Sequence, residues 1–234
     1  MENPKLSTMV VLYSLNVKLN TNDLLTSLPL NDRIIKVEKR GTLVRGESSR
    51  DKIKRRPKKT ESTSKTGFGH NSITVVVLDS ADGALPSKEI TVKIFQNGVF
   101  HFTGVLDDLY DASVLKLLLG IIFTTCNHCI TNDCKEISIL ERRVVLMNYT
   151  SELTKKGMIA RETLLRSIRA LRDPDISVTY DPDVYPGIKI KYLASRWTAN
   201  VFRTGKIILT GLTSKQHCAD FKLLLEDLLK KTLP

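Results

Sequence analysis

The sequence predicts an α+β fold made of two similar halves, each an antiparallel sheet that helices cover on one face. The first observation is a stretch that occurs twice, as VKIFQNGVFHFTG in residues 92–104 and as ANVFRTGKIILTG in residues 199–211. The shared positions keep their spacing, so that Phe95, Gly98, Thr103 and Gly104 recur as Phe202, Gly205, Thr210 and Gly211. Apolar, β-rich runs on both sides of a glycine are typical of two strands joined by a turn.

The second observation is an apolar stripe that follows each copy at the same distance. Val114, Leu117, Leu118 and Ile121 are matched by Phe221, Leu224, Leu225 and Leu228. The spacing i, i+3, i+4, i+7 predicts an amphipathic helix. Either two ordinary hairpin–helix units coincide in pattern, or a strand–turn–strand–helix unit was duplicated, and the constant spacing favours duplication.

The first half is predicted to begin with a strand over residues 8–19 and a short helix that Asn22 caps and Pro29 ends. Residues 41–67 hold almost no apolar side chains and are expected to form an exposed, flexible loop. The remaining elements are a strand at 34–39, a strand at 71–78, the two strands of the first copy, and a helix from Asp107 to about Thr124.

The second half is predicted to repeat this order after a hinge at residues 126–136. It contains a strand at 137–149, a helix through Leu164 to Leu171, strands at 176–180, 188–192, 197–203 and 206–210, and a closing helix capped by Ser214. Residues 1–125 and 137–234 are therefore the expected repeats, with 41–67 as an insertion in the first. In each, the sheet face away from the helices is expected to be open.

The net charge of +11 points to an acidic partner such as nucleic acid or an anionic membrane. The longest apolar run, Leu117–Phe123, is far shorter than a bilayer span, and MENPKLST lacks the order of a signal peptide. We therefore expect a soluble, intracellular protein. Its four cysteines are unevenly placed and imply no disulfide framework.

Two motifs of the second half resemble the second repeat of the TATA-binding protein family. YDPDVYPGIKIKY and VFRTGKIILTG correspond to that family's Tyr-Glu-Pro-Glu-Leu-Phe-Pro-Gly, Phe-x-Ser-Gly-Lys and Leu-Thr-Gly. The resemblance covers residues 179–211 closely and the first half more loosely, through residues 95–104. The basic RRPKKTE segment looks like the divergent branch of this family in nucleocytoplasmic large DNA viruses.

The resemblance implies a pseudo-two-fold saddle, in which a continuous curved antiparallel sheet carries helices on its convex face. Its concave face would lie on the minor groove and insert apolar side chains between base steps. The inserted pair of the second repeat falls on Tyr185 and Phe202, and that of the first on Phe95 and Phe68. A role in the hydrophobic core is the alternative for each of these aromatic residues.

The same resemblance assigns the residues that would line the groove floor: Thr8, Val10, Leu12, His101, Thr103, Val144, Leu146, Ile208 and Thr210. The family's central asparagines, which read acceptors of A·T pairs, appear here as Thr8 and Val144. Thr8 can still donate one hydrogen bond, whereas Val144 cannot. Binding that follows DNA shape and tolerates A·T-rich sequence is therefore expected in place of strict TATA readout.

Phosphate contacts are expected from two groups of basic residues. The first group is Lys189, Lys191, Arg203 and Lys206, and the second is Lys54, Arg55, Arg56, Lys58 and Lys59. The loop from Arg50 to Lys59 carries seven basic residues and one acid. It would track backbone phosphates, act as a nuclear address or simply be solvated.

Other motifs suggest chemistry less strongly. Cys126, Cys129, Cys134 and His128 form a cramped candidate zinc site, and reduced thiols are the preferred interpretation, so no metal or cofactor is expected. The pair Asp107 and Asp108 reads as a helix start. By the same resemblance, Asp181 and Asp183 correspond to the acidic loop with which that family contacts a TFIIB-like factor. No Walker loop, nucleophile elbow or HExxH is present, and we expect no enzyme.

The leading hypothesis is a transcription initiation factor that bends A·T-rich promoter DNA as a monomer and recruits a TFIIB-like factor and RNA polymerase. The expected location is the nucleus or the viral replication factory of an infected cell, with packaging in the virion as a further option. The alternative is a protein-interaction scaffold of the transcription machinery that keeps the fold but binds DNA weakly. A magnesium-dependent nuclease is a remote third reading.

Overall fold

A computed structural model describes residues 1–52, 71–153 and 158–233 of the chain. The chain divides into two compact units. The N-terminal unit is Val10–Arg143, and the C-terminal unit combines Met1–Met9 with Val144–Pro234. The division falls inside the first and the seventh strand, so it assigns the first nine residues to the C-terminal unit and not to the first repeat expected from the sequence.

The described residues contain eleven β-strands and four α-helices, which confirms the α+β class. The strands are β1 Lys5–Leu15, β2 Ile34–Lys39, β3 Leu43–Gly46, β4 Ser72–Asp79, β5 Lys88–Phe95, β6 Val99–Val105, β7 Ile139–Glu152, β8 Ile176–Thr179, β9 Ile188–Tyr192, β10 Thr198–Val201 and β11 Lys206–Leu212. The helices are α1 Thr21–Ser27, α2 Asp108–Thr124, α3 Arg161–Ala170 and α4 Lys215–Thr232. Short 3₁₀ turns lie at Ser49–Lys52 and Asn127–Cys129.

In the N-terminal unit the strand order is β3-β2-β4-β5-β6-β1. Strands β4 and β5 form a long antiparallel ladder from Ser72 opposite Phe95 to Asp79 opposite Lys88. Side chains alternate along β5, so Ile90, Val92 and Ile94 are buried while the residues between them are half-buried. Helices α1 and α2 pack on the buried side. The core of this unit therefore lies between the helices and one face of the sheet.

In the C-terminal unit the order is β7-β11-β10-β9-β8, and the start of β1 lies beside β7. Ile207 and Leu209 of β11 are fully buried, and so are Ile188 and Ile190 of β9. Helix α4 packs on β11, α3 packs on β8, and the two helices contact each other. This unit has the predicted order of strand, helix, four strands and helix.

Two pairs of glycines confirm that the duplicated stretch has the same backbone in both units. Gly98 and Gly205 have φ of 79° and 86°, and Gly104 and Gly211 have φ of 84° and 86°. This left-handed region is open to glycine but strained for other residues. A side chain at Gly98 would also lie 2.1 Å from the carbonyl oxygen of Val17.

The helix caps confirm two predictions and correct a third. Asp107 caps α2 by accepting from the N–H of Leu109, and Ser214 caps α4 by accepting from the N–H of His217. The cap of α1 is Asn20 and not Asn22, because the Asn20 Oδ1 accepts from the N–H groups of Asn22 and Asp23. A capping side chain must precede the first free N–H groups of its helix, which Asn20 does.

The expectation of a structureless loop over 41–67 is wrong for its first part. Strand β3 pairs antiparallel with β2, and a 3₁₀ turn follows at Ser49–Lys52. Within the described ranges, the N-terminal unit therefore has one more strand after α1 than the C-terminal unit has after α3. None of the helices in the described ranges has the length and hydropathy needed to cross a membrane.

Candidate nucleic-acid interface

The face of each sheet opposite its helices is here called the open face. In the C-terminal unit this face is reached by alternate residues of β9 and β11. Lys189 and Lys191 are exposed and alternate with buried isoleucines of β9. Ile208 and Thr210 are half-buried and alternate with the buried Ile207 and Leu209 of β11. Four residues expected to contact DNA therefore lie on one surface.

Tyr185 and Phe202 meet on this unit, as the sequence predicted for an inserted pair. Their ring centroids are 5.7 Å apart with an interplanar angle of 62°, an edge-to-face contact. Tyr185 is 38% exposed and Phe202 is half-buried, so the pair is not sealed in the core. The interpretation of Phe202 as a core residue is therefore not supported.

A glycine makes room for the pair. A side chain at Gly187 would lie 2.9 Å from Cε1 of Tyr185 and 3.2 Å from Cε1 of Phe202. Tyr185 and Gly187 lie in the loop between β8 and β9, and Arg161 fixes this loop. Arg161 donates to the carbonyl oxygen of Pro186 and stacks on Tyr180 with its guanidinium carbon 5.0 Å from the ring centroid. The aromatic pair is thus held in place before any ligand arrives.

Asp181 and Asp183 lie in the same loop and are both exposed. The Asp183 N–H donates to Oδ1 of Asp181 at 3.1 Å, and the Tyr185 N–H donates to the Asp181 carbonyl oxygen at 2.9 Å. The turn therefore places two carboxylates at the surface beside the aromatic pair. The role of this loop as an acidic contact for a partner stays a prediction.

Cross-strand pairing orders the remaining side chains of the open face into rows. Asn200 is opposite Lys189 on one side and Ile208 on the other, and Ile208 is opposite Thr150 of β7. Thr198 likewise stands between Lys191 and Thr210. Each row therefore starts at an exposed lysine and runs inward to smaller side chains. Arg203 and Lys206 are exposed at the turn between β10 and β11.

Strand β7 carries an open-face residue that the sequence did not reveal. The Leu15 N–H donates to the Gly98 carbonyl oxygen, and the Leu153 N–H donates to the Gly205 carbonyl oxygen. Leu153 is therefore the equivalent of Leu15. Counting the same number of residues back from Leu15 in β1 and from Leu153 in β7 makes Leu146 the equivalent of Thr8. The resemblance assigns this position to Val144, so that assignment is corrected.

By the same count, Asn148 is the equivalent of Val10. Its Oδ1 is shielded from solvent and has no hydrogen-bond partner in the described ranges. Val144, Leu146 and Asn148 lie on the face opposite the buried Met147 and Tyr149. The polar–apolar alternation of Met147–Ser151 was the signal that would have found Asn148.

Along β1, the predicted floor residues Thr8, Val10 and Leu12 are half-buried and alternate with the buried Met9, Val11 and Tyr13. In the N-terminal unit, Leu12 joins Phe95 and His101 around a cavity of about 480 Å³. Lys93, Asn97 and Val99 complete its lining. Phe95 is thus beside an empty space and not against a second aromatic side chain of the described ranges. Thr103 lies further along β6 on the same face.

His101 and Lys93 are the ionisable side chains on this cavity. It lies opposite Lys93 in the antiparallel pairing of β5 and β6. Partial burial and the positive charge of Lys93 both lower the pKa of His101 below its ordinary value. The imidazole is therefore neutral at pH 7 in the free protein.

The outer part of the N-terminal unit's open face is not bare, contrary to the prediction. Lys36 of β2 is 7% exposed and Val76, opposite it on β4, is 4% exposed. The Lys36 ammonium donates to Oδ1 of Asp51 at 2.7 Å, so the 3₁₀ turn lies over these strands. The two units therefore differ most on this surface.

Several predicted residues lie outside the described part of the chain. They are Phe68 of the first inserted pair and the basic residues Lys54, Arg55, Arg56, Lys58 and Lys59. Their assignments remain predictions.

The structure describes the cysteine-rich segment, and its candidate zinc ligands do not come together there. Cys126 and Cys129 are buried, and burial raises the pKa of both thiols. His128 shares a hydrogen bond of 3.0 Å with the Ser27 hydroxyl, and the Cys134 thiol donates to the Glu136 carbonyl oxygen. Within the described ranges, no group of three or more potential ligands is placed to hold a metal.

These features describe an α+β protein with helices on one face of the sheet and aromatic and basic side chains on the other. The family model described as transcription factor TFIID (or TATA-binding protein, TBP) matches residues 159–231, which lie inside the C-terminal unit. This match agrees with the part of the sequence where the motif resemblance is closest.

Among solved structures, the chain is similar to Methanococcus jannaschii TBP, with a TM-score of 0.56 and 14% sequence identity. The match covers 98% of this chain and 99% of that chain. At this identity the likeness shows a TATA-binding-protein-like fold. A search of curated proteins gave no match.

Proposed function

We propose that this protein is a TATA-binding-protein-like transcription initiation factor that binds and bends promoter DNA through the minor groove. The observation that carries the proposal is the edge-to-face pair of Tyr185 and Phe202 in the C-terminal unit, in which Tyr185 is 38% exposed and Phe202 is half-buried. Apolar side chains in such a position would enter a base step and kink the duplex. The Tyr185 hydroxyl would stay in contact with water at the edge of the step.

The residues around the pair suit a DNA ligand. Unstacking a base step costs a few kcal/mol, and contact between the bent duplex and the open face would offset this cost. Ile208, Thr210 and Leu146 offer small or apolar side chains to the groove floor, and Asn148 adds an amide. This mixture favours readout of A·T-rich shape over strict reading of a base sequence.

The exposed basic residues of the C-terminal unit would hold the phosphates. Lys189, Lys191, Arg203 and Lys206 are exposed and form no ion pair with described residues. Each phosphate neutralised would add about −0.9 to the slope of log affinity against log salt concentration. We therefore expect DNA binding that weakens steeply with salt.

The exposed carboxylates Asp181 and Asp183 would contact a basic partner, for which a TFIIB-like factor that brings RNA polymerase is our candidate. The family model and the fold support a role in transcription and the absence of an enzymatic role. The RRPKKTE segment supports an origin in the divergent viral branch, and with it the nucleus or a viral replication factory as the location.

A bending assay tests the proposal. An A·T-rich duplex with a fluorescent donor and acceptor at its ends is titrated with the parent protein and with Phe202→Ala. We expect energy transfer to rise with the parent and to stay near the free-DNA value with the variant. Phe123→Ala is the control, because Phe123 is 48% exposed on helix α2 and outside the open face.

The scaffold remains the second candidate, because the N-terminal unit's open face is partly covered. It would be favoured if the parent left the duplex straight at every protein concentration while still binding a transcription partner. The proposal of DNA bending would then be abandoned. A Phe202→Ala protein that bends DNA as well as the parent would contradict the role of the aromatic pair.

A further inference from the structure

The segment Ser48–Lys52 crosses onto the open face of the N-terminal unit and is fixed there by side-chain contacts. The Ser48 hydroxyl and the Ser49 N–H donate to the two carboxylate oxygens of Glu89 at 2.9 and 2.8 Å. The Ser48 N–H donates to Oδ2 of Asp51, whose other oxygen binds Lys36. The segment is therefore held by the sheet it covers.

Glu89 is ionised in this arrangement. Partial burial alone would raise the pKa of its carboxyl, but hydrogen bonds from Ser49 and Ser48 and the charge of Arg50 lower the pKa below its ordinary value. Both carboxylate oxygens are used by the serines. They anchor the segment and leave the neighbouring guanidinium of Arg50 without a bidentate partner.

Arg50 is directed by this anchor across strands β5 and β6. Its Nη1 donates to the Thr91 hydroxyl at 2.8 Å, and its Nη2 lies 2.8 Å from where a side chain at Gly104 would begin. Thr91 is opposite Thr103, one of the predicted floor residues. The absence of a side chain at Gly104 is what lets the guanidinium lie against the sheet.

The charge of Arg50 is not neutralised by an ion pair with any described residue. The side chain is half-buried, so part of the guanidinium remains accessible. Within the described ranges, its side chain donates one hydrogen bond, to Thr91, and most of its five N–H donors have no described partner. A fixed cation with free donors on a groove-facing surface suits a ligand that is both anionic and rich in acceptors.

We propose that Arg50 is a minor-groove contact of the N-terminal unit, donating to the acceptor atoms of A·T base edges. This inference rests on the proposed function. Thr91, the hydrogen-bond partner of Arg50, lies about 13 Å from Phe95 along β5, at ~3.3 Å per residue. Arg50 would therefore contact a different part of the site from the inserted side chain. Minor grooves of A·T-rich DNA are narrow and strongly negative, and they attract arginine. The guanine amino group would place a donor against the guanidinium and disfavour the contact.

The test compares Arg50→Ala with the parent on three duplexes of equal length: A·T-rich, the same with G·C at central steps, and the same with inosine·C. Inosine removes the guanine amino group and keeps the pairing. For the parent we expect similar affinity for the A·T and inosine duplexes and weaker binding to the G·C duplex. In Arg50→Ala this discrimination should fall by roughly tenfold.

Two further variants keep the test specific. Lys52→Ala removes the same charge from an exposed neighbour in the same turn, and we expect it to keep the parent's discrimination. Thr91→Val removes the hydroxyl that accepts from Arg50, and we expect a smaller loss in the same direction as Arg50→Ala. Thermal melting of each protein checks that it is folded.

Three outcomes would overturn the inference. Unchanged discrimination in Arg50→Ala would show that Arg50 is not a groove contact. An equal loss of affinity on all three duplexes would assign Arg50 to a phosphate, and tighter binding would show that the segment obstructs DNA. Bending by the parent on the A·T duplex is measured alongside, so a failure of the proposed function is seen separately from a failure at Arg50.

Discussion

The open faces of the two units are built from the same duplicated strands and differ in what lies on them. In the C-terminal unit, Tyr185 and Phe202 are already in contact, and Lys189 and Lys191 of β9 are exposed. In the N-terminal unit, Phe95 borders a cavity, and Ser48–Lys52 covers the outer strands. The duplicated motif thus determines the backbone, while the residues outside the motif determine how much of the surface a ligand can reach.

The helix that follows each motif shows the same divergence, and it gives the largest expected effect. Asp111 of α2 is fully buried and accepts from the Tyr13 hydroxyl at 2.6 Å and from the Arg142 Nε at 2.9 Å. At the equivalent place in α4 is Cys218, whose pKa is raised to about 11 by burial. One unit thus buries a hydrogen-bonded carboxylate where the other buries a thiol.

Asp111→Asn should lower the free energy of unfolding by about 2–3 kcal/mol, because it weakens the hydrogen bonds that Tyr13 and Arg142 donate to a fully buried carboxylate, while Arg142 keeps its ion pair with Asp108. Cys218→Ala should cost about 1 kcal/mol, since it removes one small buried group. Urea denaturation of both variants measures the difference. Equal losses would mean that these hydrogen bonds contribute no more than simple packing does.

The contact between Tyr185 and Phe202 depends on the missing side chain of Gly187. Gly187→Ala would place a methyl group against Tyr185 and Phe202 and should displace both rings. We expect the free energy of unfolding to fall by about 1–3 kcal/mol. We expect reduced bending in the energy-transfer assay. The N-terminal unit has no such described pair, so the loss should be confined to the C-terminal end of the site.

Gly120→Ala is the matched control for that change. Nothing lies within 4 Å of the position where its side chain would begin, and the residue is in helix α2. The variant should bend DNA as the parent does and gain up to about 1 kcal/mol in stability from helix propensity. Normal bending by Gly187→Ala would show that the pair tolerates being moved.

The smallest expected effect is pH dependence that belongs to one unit. His101 has Ile208 as its equivalent, so only the N-terminal unit titrates at this position. The pKa of His101 is lowered in the free protein by burial and by Lys93. The folded state therefore binds fewer protons than the unfolded chain below the ordinary histidine pKa of about 6.5, and stability at this site falls as pH decreases through that range.

Bound phosphates would favour the protonated imidazole, so DNA affinity should rise a few-fold between about pH 7.5 and 5.5. His101→Ile copies the C-terminal unit and should remove this part of the pH dependence. Fluorescence anisotropy at constant ionic strength measures it. An identical pH profile for the two proteins would place His101 out of reach of the DNA.

The fold was largely predictable because its signals are local. Alternation along β5 and β11, the repeated glycines and the acid or serine before each long helix all act over a few residues. The predicted strand at 34–39 coincides with β2. The same reasoning placed the cap of α1 two residues late, because both Asn20 and Asn22 are suitable capping residues in sequence.

The candidate site was predictable only in part because its missing members depend on tertiary contacts. Nothing in GESSRD signals that Ser48 and Ser49 bind Glu89, which is distant in sequence. The position of Asn148 depends on how β7 pairs with β11, and the short apolar run Val144–Leu146 suggested a different alignment. Tyr185 and Phe202 could be assigned to the site because each lies in a short, continuous motif, and their role as an inserted pair is a prediction.

The division of β1 between the units has a consequence for how the chain is made. Val10–Arg143 is one continuous stretch and can collapse while synthesis is still in progress. The C-terminal unit needs Met1–Met9, whose Glu2 N–H and Ser7 hydroxyl bond to the backbone of Glu152 and Asn148. Residues 1–9 are synthesised well before these partners, and such distant contacts are expected to make completion of this unit the slow step of folding.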